Sequence, residues 1–404
     1  MLKTFNKKVI NNFGWALLGR VFAAILQATG IILLARWEEV ENFGIVASML
    51  ALGVLVHALI DFGLTTYSVK ERSAGNMAHL YSCMSHNRKF ATLFGLLSSF
   101  ITFLLGYYIS SFFYLLLPVG VWIAYERQSD FLISFFIADS KNKIATKLLT
   151  HRRLLSLVLF IALYFLSVQV TLAYMLAIAL AALASYLQVK YLLSNEIAAL
   201  NQKFFTFKEL FSHTFPFWIN SFFAQLRNVD VVIVTVILGP VFGALFGVAN
   251  RVVSPLSMVS SSMATVVLPS VSKGDIRKHE FYKYTVFATA LSSIPYICLF
   301  FLSSLAVPLL LGEKYNDVVP ILEVLSLGLI FFSASSVLGS VMQGVGLQKR
   351  VAQVNVMATS IYILFLIPVA YWGGIMYAVY SLCIFFILRL LMMAFYLNRG
   401  LKNG

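Results

Sequence analysis

Charged side chains stand in this chain where its surroundings are apolar. Arg20, Arg127, Arg227 and Arg251 fall within hydrophobic runs, as do Asp61, Glu126, Asp130 and Asp230. An ionised group at the depth of a bilayer core costs on the order of 3 kcal/mol, so such groups face protein or water rather than lipid. A guanidinium is a rigid fork of N–H donors matched to phosphate or carboxylate oxygens, which makes the arginines candidates for holding an anion. The carboxylates are candidates for a proton or sodium site. Arg227 and Asp230 lie three apart, within reach of each other on one helix. The run around Arg251 supplies no acid of its own, so that charge is answered from another segment or by an anionic ligand. His57 and Asp61 lie four apart, as do Glu126 and Asp130. Two ionised carboxylates on adjacent turns repel, which favours one proton held by Glu126 or Asp130, with Arg127 offsetting part of the repulsion. For both sets the plainer alternative stays open: neutralised clusters that serve packing.

These side chains need elements to hold them, and composition says which kind. The chain has 404 residues, 60% of them hydrophobic and only 11% charged, against about 25% charged in soluble proteins. Long unbroken apolar runs exclude the alternating pattern of an outer-membrane barrel. The expected fold is therefore an all-α integral membrane bundle of about twelve transmembrane helices. The runs are 12–35, 43–67, 90–109, 112–137, 153–169, 171–194, 213–238, 241–269, 285–311, 318–343, 351–371 and 374–397, near the 20 residues that a crossing takes. The first run follows Lys3, Lys7 and Lys8 but is too long for a signal peptide and lacks a small-residue cleavage site, so it reads as a retained helix. A polar connection, 195–212, divides an N-terminal six-helix lobe, 1–194, from a C-terminal one, 213–404. Weak echoes such as Phe43-Gly44 and Phe242-Gly243 at corresponding spans suit parallel repeats. Burying four arginines in lipid would cost on the order of 10 kcal/mol, and a water-filled central cavity between the lobes removes most of that.

The basic residues alternate sharply from side to side. One set of connections holds Lys3, Lys7, Lys8, Lys70, Arg72, Arg88, Lys89, Lys141, Arg152, Arg153, Lys203, Lys349 and Arg350, while the other holds Arg36 and Lys314 beside Glu38, Glu39, Glu41 and Glu313. The positive-inside rule puts both termini in the cytoplasm. The net charge of +14 thus reads as topology, with anionic membrane lipids as the partner it suits and nucleic acid excluded. Trp37 and Trp372 fall at one interface and Trp15 and Trp218 near the other, an aromatic belt. The sequence has no phosphate-binding loop, zinc motif, nucleophile elbow or dinucleotide fingerprint. Cys83, Cys298 and Cys383 have neither metal nor disulfide-framework spacing. No cofactor or metal is expected. The outer connections are short turns with no room for a catalytic domain, so the chain does not read as an enzyme.

Several motifs together resemble a known family. They are Asn228-Val229-Asp230 before an apolar strip, Leu238-Gly239-Pro240, Phe242-Gly243, Ala249-Asn250-Arg251 and Leu268-Pro269-Ser270. Asn12, Gly14 and Trp15 before Gly19-Arg20, then Glu41-Asn42-Phe43-Gly44, and Gly344-Val345-Gly346 ahead of Lys349 extend the pattern. With the length and span count, the whole chain resembles the Wzx-type polysaccharide (O-antigen) flippases of the multidrug/oligosaccharidyl-lipid/polysaccharide exporter superfamily. The resemblance implies two six-helix lobes that alternate their access. It also implies a substrate carried on undecaprenyl pyrophosphate across a bacterial inner membrane, and polymerase and chain-length proteins as pathway partners. Basic cavity residues of such a flippase map here to Arg20, Arg227 and Arg251, and no coupling residue carries over.

The candidate substrate contacts are then Arg20, Gln27, Arg127, Asn220, Arg227, Asp230 and Arg251, and the candidate ion-coupling residues are Asp61, Glu126 and Asp130. Ala23, Ala24 and Gln27 share a face with Arg20, and Ser254, Met258, Ser261 and Ser262 follow Arg251 at helical spacing. Such stripes either line an aqueous route or permit close helix packing. Three rivals stand beside the flippase. A drug/cation antiporter of the same superfamily would prefer an acidic, aromatic cavity. A major-facilitator sugar transporter would carry a Gly/Asp/Arg-rich motif after span two, which Ser68–Asn76 does not supply. A polysaccharide polymerase would need a large outer loop.

Overall fold

In a bilayer a long apolar run must satisfy its backbone hydrogen bonds internally, and the helix does this within one segment. A computed structural model of the chain describes residues 7–200, 204–272 and 281–402, with the side chains of 7–18, 20, 220, 259, 261–272, 281, 282, 284 and 400–402 outside that description. The described residues are helical and turn backbone with no strand. The helices are α1 (Lys7–Trp37), α2 (Val40–Asp61), α3 (Leu64–Ser73), α4 (Leu80–Tyr108), α5 (Val119–Ala138), α6 (Asn142–Phe165) and α7 (Val170–Leu192). They continue with α8 (Ser194–Ala198), α9 (Phe207–Leu226), α10 (Asp230–Leu238), α11 (Pro240–Ser272), α12 (Phe281–Leu311), α13 (Val318–Gly344) and α14 (Gln348–Lys402).

Nine stretches among the described residues have the length and apolarity to cross a bilayer. The other expected runs are helical too. In α1 the apolar part is Val21–Trp37, and α5 carries Glu126, Arg127 and Asp130. α14 holds two runs, separated at Gly374 by a φ of 73°. This is a left-handed value that glycine adopts without steric cost.

Three of the expected runs differ in detail. The run 43–67 breaks at Phe62 and Gly63, with φ of 44° and 72°. A Cβ on Gly63 would collide with the Thr214 carbonyl and the Trp218 amide of α9. The run 213–238 is not one helix: a 3-10 turn over Arg227–Val229 separates α9 from α10. The run expected from 153 begins at Asn142 instead, so Arg152 and Arg153 belong to a helix and not to a loop.

The chain forms two compact units, residues 1–30 with 52–225 and residues 31–51 with 226–404. In unit 1, α5 is the central helix and packs against α3, α4, α6 and α7. Leu64, Tyr67, Phe131, Phe135, Leu148 and Val189 form its buried core. Gly95 and Gly120 bring the α4 and α5 backbones together, since a Cβ on either would strike the other's carbonyl. Leu93, Leu96 and Phe100 of α4 are exposed, the apolar face such a helix offers to lipid.

In unit 2, α13 is central, against α11, α12 and α14, and α10 packs on α11 and α14. Val337, Leu338, Val341, Val354 and Met393 are buried there. The 31–51 segment joins this unit through small residues. Gly44 meets the Pro240 backbone with no room for a Cβ, and the Ser48 and Thr235 hydroxyls lie 2.6 Å apart. Close backbone approach of this kind is how helices associate in lipid, where apolar burial gives no drive.

Candidate functional site

The 3-10 turn in unit 2 and the start of α10 present Arg227, Asn228 and Asp230 to a pocket of about 100 Å³. α11 contributes Asn250, Arg251, Ser254 and Ser257, and the last three repeat at the three-to-four-residue period of one helix face. Ala47 and Ala51, Leu325 and Phe332, and Phe386 close it. The Arg227 guanidinium lies 5.8 Å from the Phe386 ring centre, which packs edge-on against Phe332 at 5.3 Å. Asp230 is buried, and its carboxylate accepts from the Val231 amide at 2.8 Å and from the Tyr362 hydroxyl at 3.3 Å. The lining thus holds two guanidiniums, one carboxylate and two carboxamides, with one net positive charge. A guanidinium stacked on an aromatic ring keeps its N–H edge for other partners.

Of the stripe after Arg251, Ser254 lines the pocket. Its neighbour Ser257 does too, whereas Ser260 is buried and shares a 2.8 Å hydrogen bond with the Tyr296 hydroxyl. The side chains of Ser261 and Ser262 lie outside the described residues, as do those of Arg20 and Asn220. Arg389 is half-buried and does not reach out as a terminal cation does. It donates to Asn355 at 3.0 Å and to Ser335 at 3.3 Å, beside the Phe332 ring.

Unit 1 treats its charges differently. Arg127 pairs with Asp61 and also donates to Thr65, and to Asn87 at 3.1 Å. Asp61 binds the Thr65 hydroxyl at 2.7 Å. Arg127 therefore turns to α2, not to Asp130 on its own helix. Arg152 stands between the two α5 carboxylates, 3.4 Å from Glu126 and 2.8 Å from Asp130. Arg153 reaches Glu126 at 2.8 Å, and the Trp122 indole donates to the same carboxylate. His57 sits beside the Trp122 ring at 5.2 Å and bonds the Ile123 carbonyl at 3.1 Å. Three carboxylates thus meet three guanidiniums, and the repulsion expected between Glu126 and Asp130 is met by Arg152. Gln27, half-buried on α1, belongs to this unit as well.

Arg152 and Arg153 were missed as network members because a basic pair before an apolar run reads as a loop. The signal was Ala145, Leu148 and Leu149, apolar residues at helical spacing upstream. A third cluster lies outside the spans. Arg72 of α3 binds Asp139 at 2.7 Å and also Glu196 of α8, with the Phe135 ring 4.8 Å from its guanidinium. That hydrogen bond holds the Asp139 carboxyl below the usual carboxylate range and raises the guanidinium's own value.

Among solved structures, the chain is similar to an inward-facing multidrug resistance MATE family transporter of the MOP superfamily. The identity is 12%, with 95% of this chain and 96% of that one covered and a TM-score of 0.72. It is similar to the lipid II flippase MurJ in an inward closed conformation, at 15% identity, 94% and 87% coverage and a TM-score of 0.71. The eukaryotic MATE transporter AtDTX14 follows at 17%, 96% and 94%, and 0.69. At such identities the likeness is one of fold. No curated protein matches the chain in sequence. Residues 9–275 match the family described as polysaccharide biosynthesis protein, in agreement with the motifs of spans one, two, seven and eight, and the chain belongs to that family.

Proposed function

We propose that this protein is a flippase for undecaprenyl-pyrophosphate-linked oligosaccharide repeat units, of the O-antigen or capsule type, in a bacterial inner membrane. The observation that carries the reading is the unit 2 pocket, where Arg227 and Asn228 of the 3-10 turn stand with Asn250 and Arg251 of α11 within apolar runs. Forked cationic donors and carboxamides suit pyrophosphate oxygens. The family supplies the polysaccharide context, and a lipid II flippase of the same fold supplies a precedent for a lipid-linked cargo.

In this proposal the lobes are 1–194 and 213–404, joined by 195–212, and they alternate access to the two sides with both termini in the cytoplasm. Arg20, Gln27, Arg127 and Asn220 are proposed as further substrate contacts besides Arg227, Asp230 and Arg251. The isoprenoid tail stays in lipid while the pyrophosphate and glycan enter. Moving two negative charges outward is favoured by roughly 5 kcal/mol per 100 mV, inside negative, so the membrane potential drives transport without ATP. Asp61, Glu126 and Asp130 couple the return step to an ion. Protonating a carboxylate of this set discharges one side of an ion pair, such as Asp61 with Arg127, and frees the helices that it joins. The cargo is moved without covalent change and passes to polymerase and chain-length proteins outside.

The fold shared with MATE transporters gives one specific rival, an antiporter of organic cations, which a net-positive pocket disfavours. The test is replacement of Arg227 and Arg251 by Ala in cells. Surface glycan is lost, lipid-linked repeat units accumulate inside and protein levels stay normal. Full surface display in the double variant contradicts the assignment.

A further inference from the structure

Unit 1 holds a second cavity, of about 130 Å³, near the basic ends of α4 and α7. Tyr81 and Arg88 of α4, Gln128 of α5, and Tyr186 and Lys190 of α7 line it, and no acidic side chain does. Arg88 and Lys190 are exposed. Among the described residues neither joins the ion pairs of this unit, which engage Arg72, Arg127, Lys141, Arg152 and Arg153. The acid next to lining residue Ile197, Glu196, is held by Arg72 and by Lys141 at 3.8 Å. Lys190 lies 5.8 Å from the Tyr186 ring. Met84, Phe131, Leu132 and Ile197 make an apolar side of the wall, and Ser85 and Asn87 add two uncharged polar groups.

That combination selects an amphiphile. Two exposed cations attract a phosphate, yet the side formed by Met84, Phe131, Leu132 and Ile197 gives a free hydrated anion nothing in return for its lost water. Tyrosines belong at the headgroup level of a bilayer, and basic pockets between helix ends at the cytoplasmic side bind anionic headgroups. In the topology proposed above these helix ends face the cytoplasm. We propose that this cavity binds the phosphate headgroup of an anionic glycerophospholipid, with the start of the acyl chains against Met84 and Leu132. None of its residues lines the unit 2 pocket, and the site rests on the flippase reading only for the side of the membrane that these helix ends face.

The test uses the full-length protein in detergent, titrated with phosphatidylglycerol or phosphatidylcholine and read by native mass spectrometry and by quenching of a lipid-attached fluorophore. Arg88→Gln with Lys190→Gln is expected to weaken phosphatidylglycerol binding about 30-fold, taking two basic contacts at the strength usual for juxtamembrane charge. Arg88→Lys with Lys190→Arg retains it. Lys89→Gln, an exposed neighbour that does not line the cavity, leaves it unchanged, and phosphatidylcholine binds weakly throughout. Three results overturn the proposal. One is an equal loss with Lys89→Gln, which means diffuse attraction. Another is displacement of the lipid by millimolar inorganic phosphate, which means a free-anion site. The third is unchanged affinity in the Arg88→Gln/Lys190→Gln variant.

Discussion

Unit 1 and unit 2 both carry arginine inside membrane-spanning helices, yet they answer that charge in different ways. In unit 1, Arg127, Arg152 and Arg153 meet Asp61, Glu126 and Asp130 in direct ion pairs. In unit 2, Arg227 and Arg251 line an open pocket with Asp230 as its one carboxylate, and an aromatic face backs Arg227. A matched set of charges joins α2, α5 and α6 and leaves little field beyond itself. A lining with a net positive charge attracts an anion into the space it surrounds. Similar residue types are therefore paired among themselves in one unit and arranged around a space in the other, and the ratio of acids to bases sets the difference.

Three substitutions probe this contrast, starting with the largest effect. Arg152→Ala leaves Glu126 and Asp130 facing each other with one counter-charge fewer. Breaking a buried ion pair from one side costs about 3–5 kcal/mol, so the variant is expected to melt well below the wild type in detergent. Adding Asp130→Asn to it should recover part of the loss, and an unchanged melting temperature for Arg152→Ala would erase the distinction between the units. Tyr362→Phe removes only the 3.3 Å hydrogen bond to Asp230, a change of about 0.5–1.5 kcal/mol. It should perturb transport more than thermal stability, because Asp230 lines the pocket. The reverse order would make Asp230 a packing residue.

The smallest effect belongs to Asp139, whose carboxyl the Arg72 hydrogen bond holds below the usual range. A depressed folded value contributes stability above the unfolded pKa, about 3.9, and loses it as pH falls through the lower folded value. Asp139→Asn is thus expected to lower the melting temperature by a few degrees at pH 7 and by progressively less below pH 4. A constant difference across that range, read by thermal scans at successive pH values, would contradict the ion-pair account.

Much of the architecture was legible because each crossing leaves an apolar run that composition alone reveals. The breaks were not. Nothing in hydropathy marks the left-handed backbone at Phe62 and Gly63 or the 3-10 turn at Arg227–Val229, since both depend on what packs against them. Arg227, Asp230 and Arg251 stand out in sequence as polar groups in apolar surroundings, and one pocket gathers them. Phe386, more than a hundred residues further along, reaches the same pocket by tertiary packing that no local pattern encodes. Arg152 shows the opposite failure. Its chemistry was visible, but a rule about loops assigned it to the wrong environment, because the upstream half of α6 is only weakly apolar.

The central claim, that the arginines of unit 2 hold an anionic lipid-linked cargo during transport, meets its most direct test in reconstituted vesicles. The translocation of an undecaprenyl-pyrophosphate-linked oligosaccharide is followed under an imposed potential, with and without a proton gradient, for the wild type and for Arg251→Ala. The wild type should move the cargo faster as the donor side is made more negative, and the variant should lose most of that transport at any potential. Equal, potential-dependent rates for the two proteins would contradict the account.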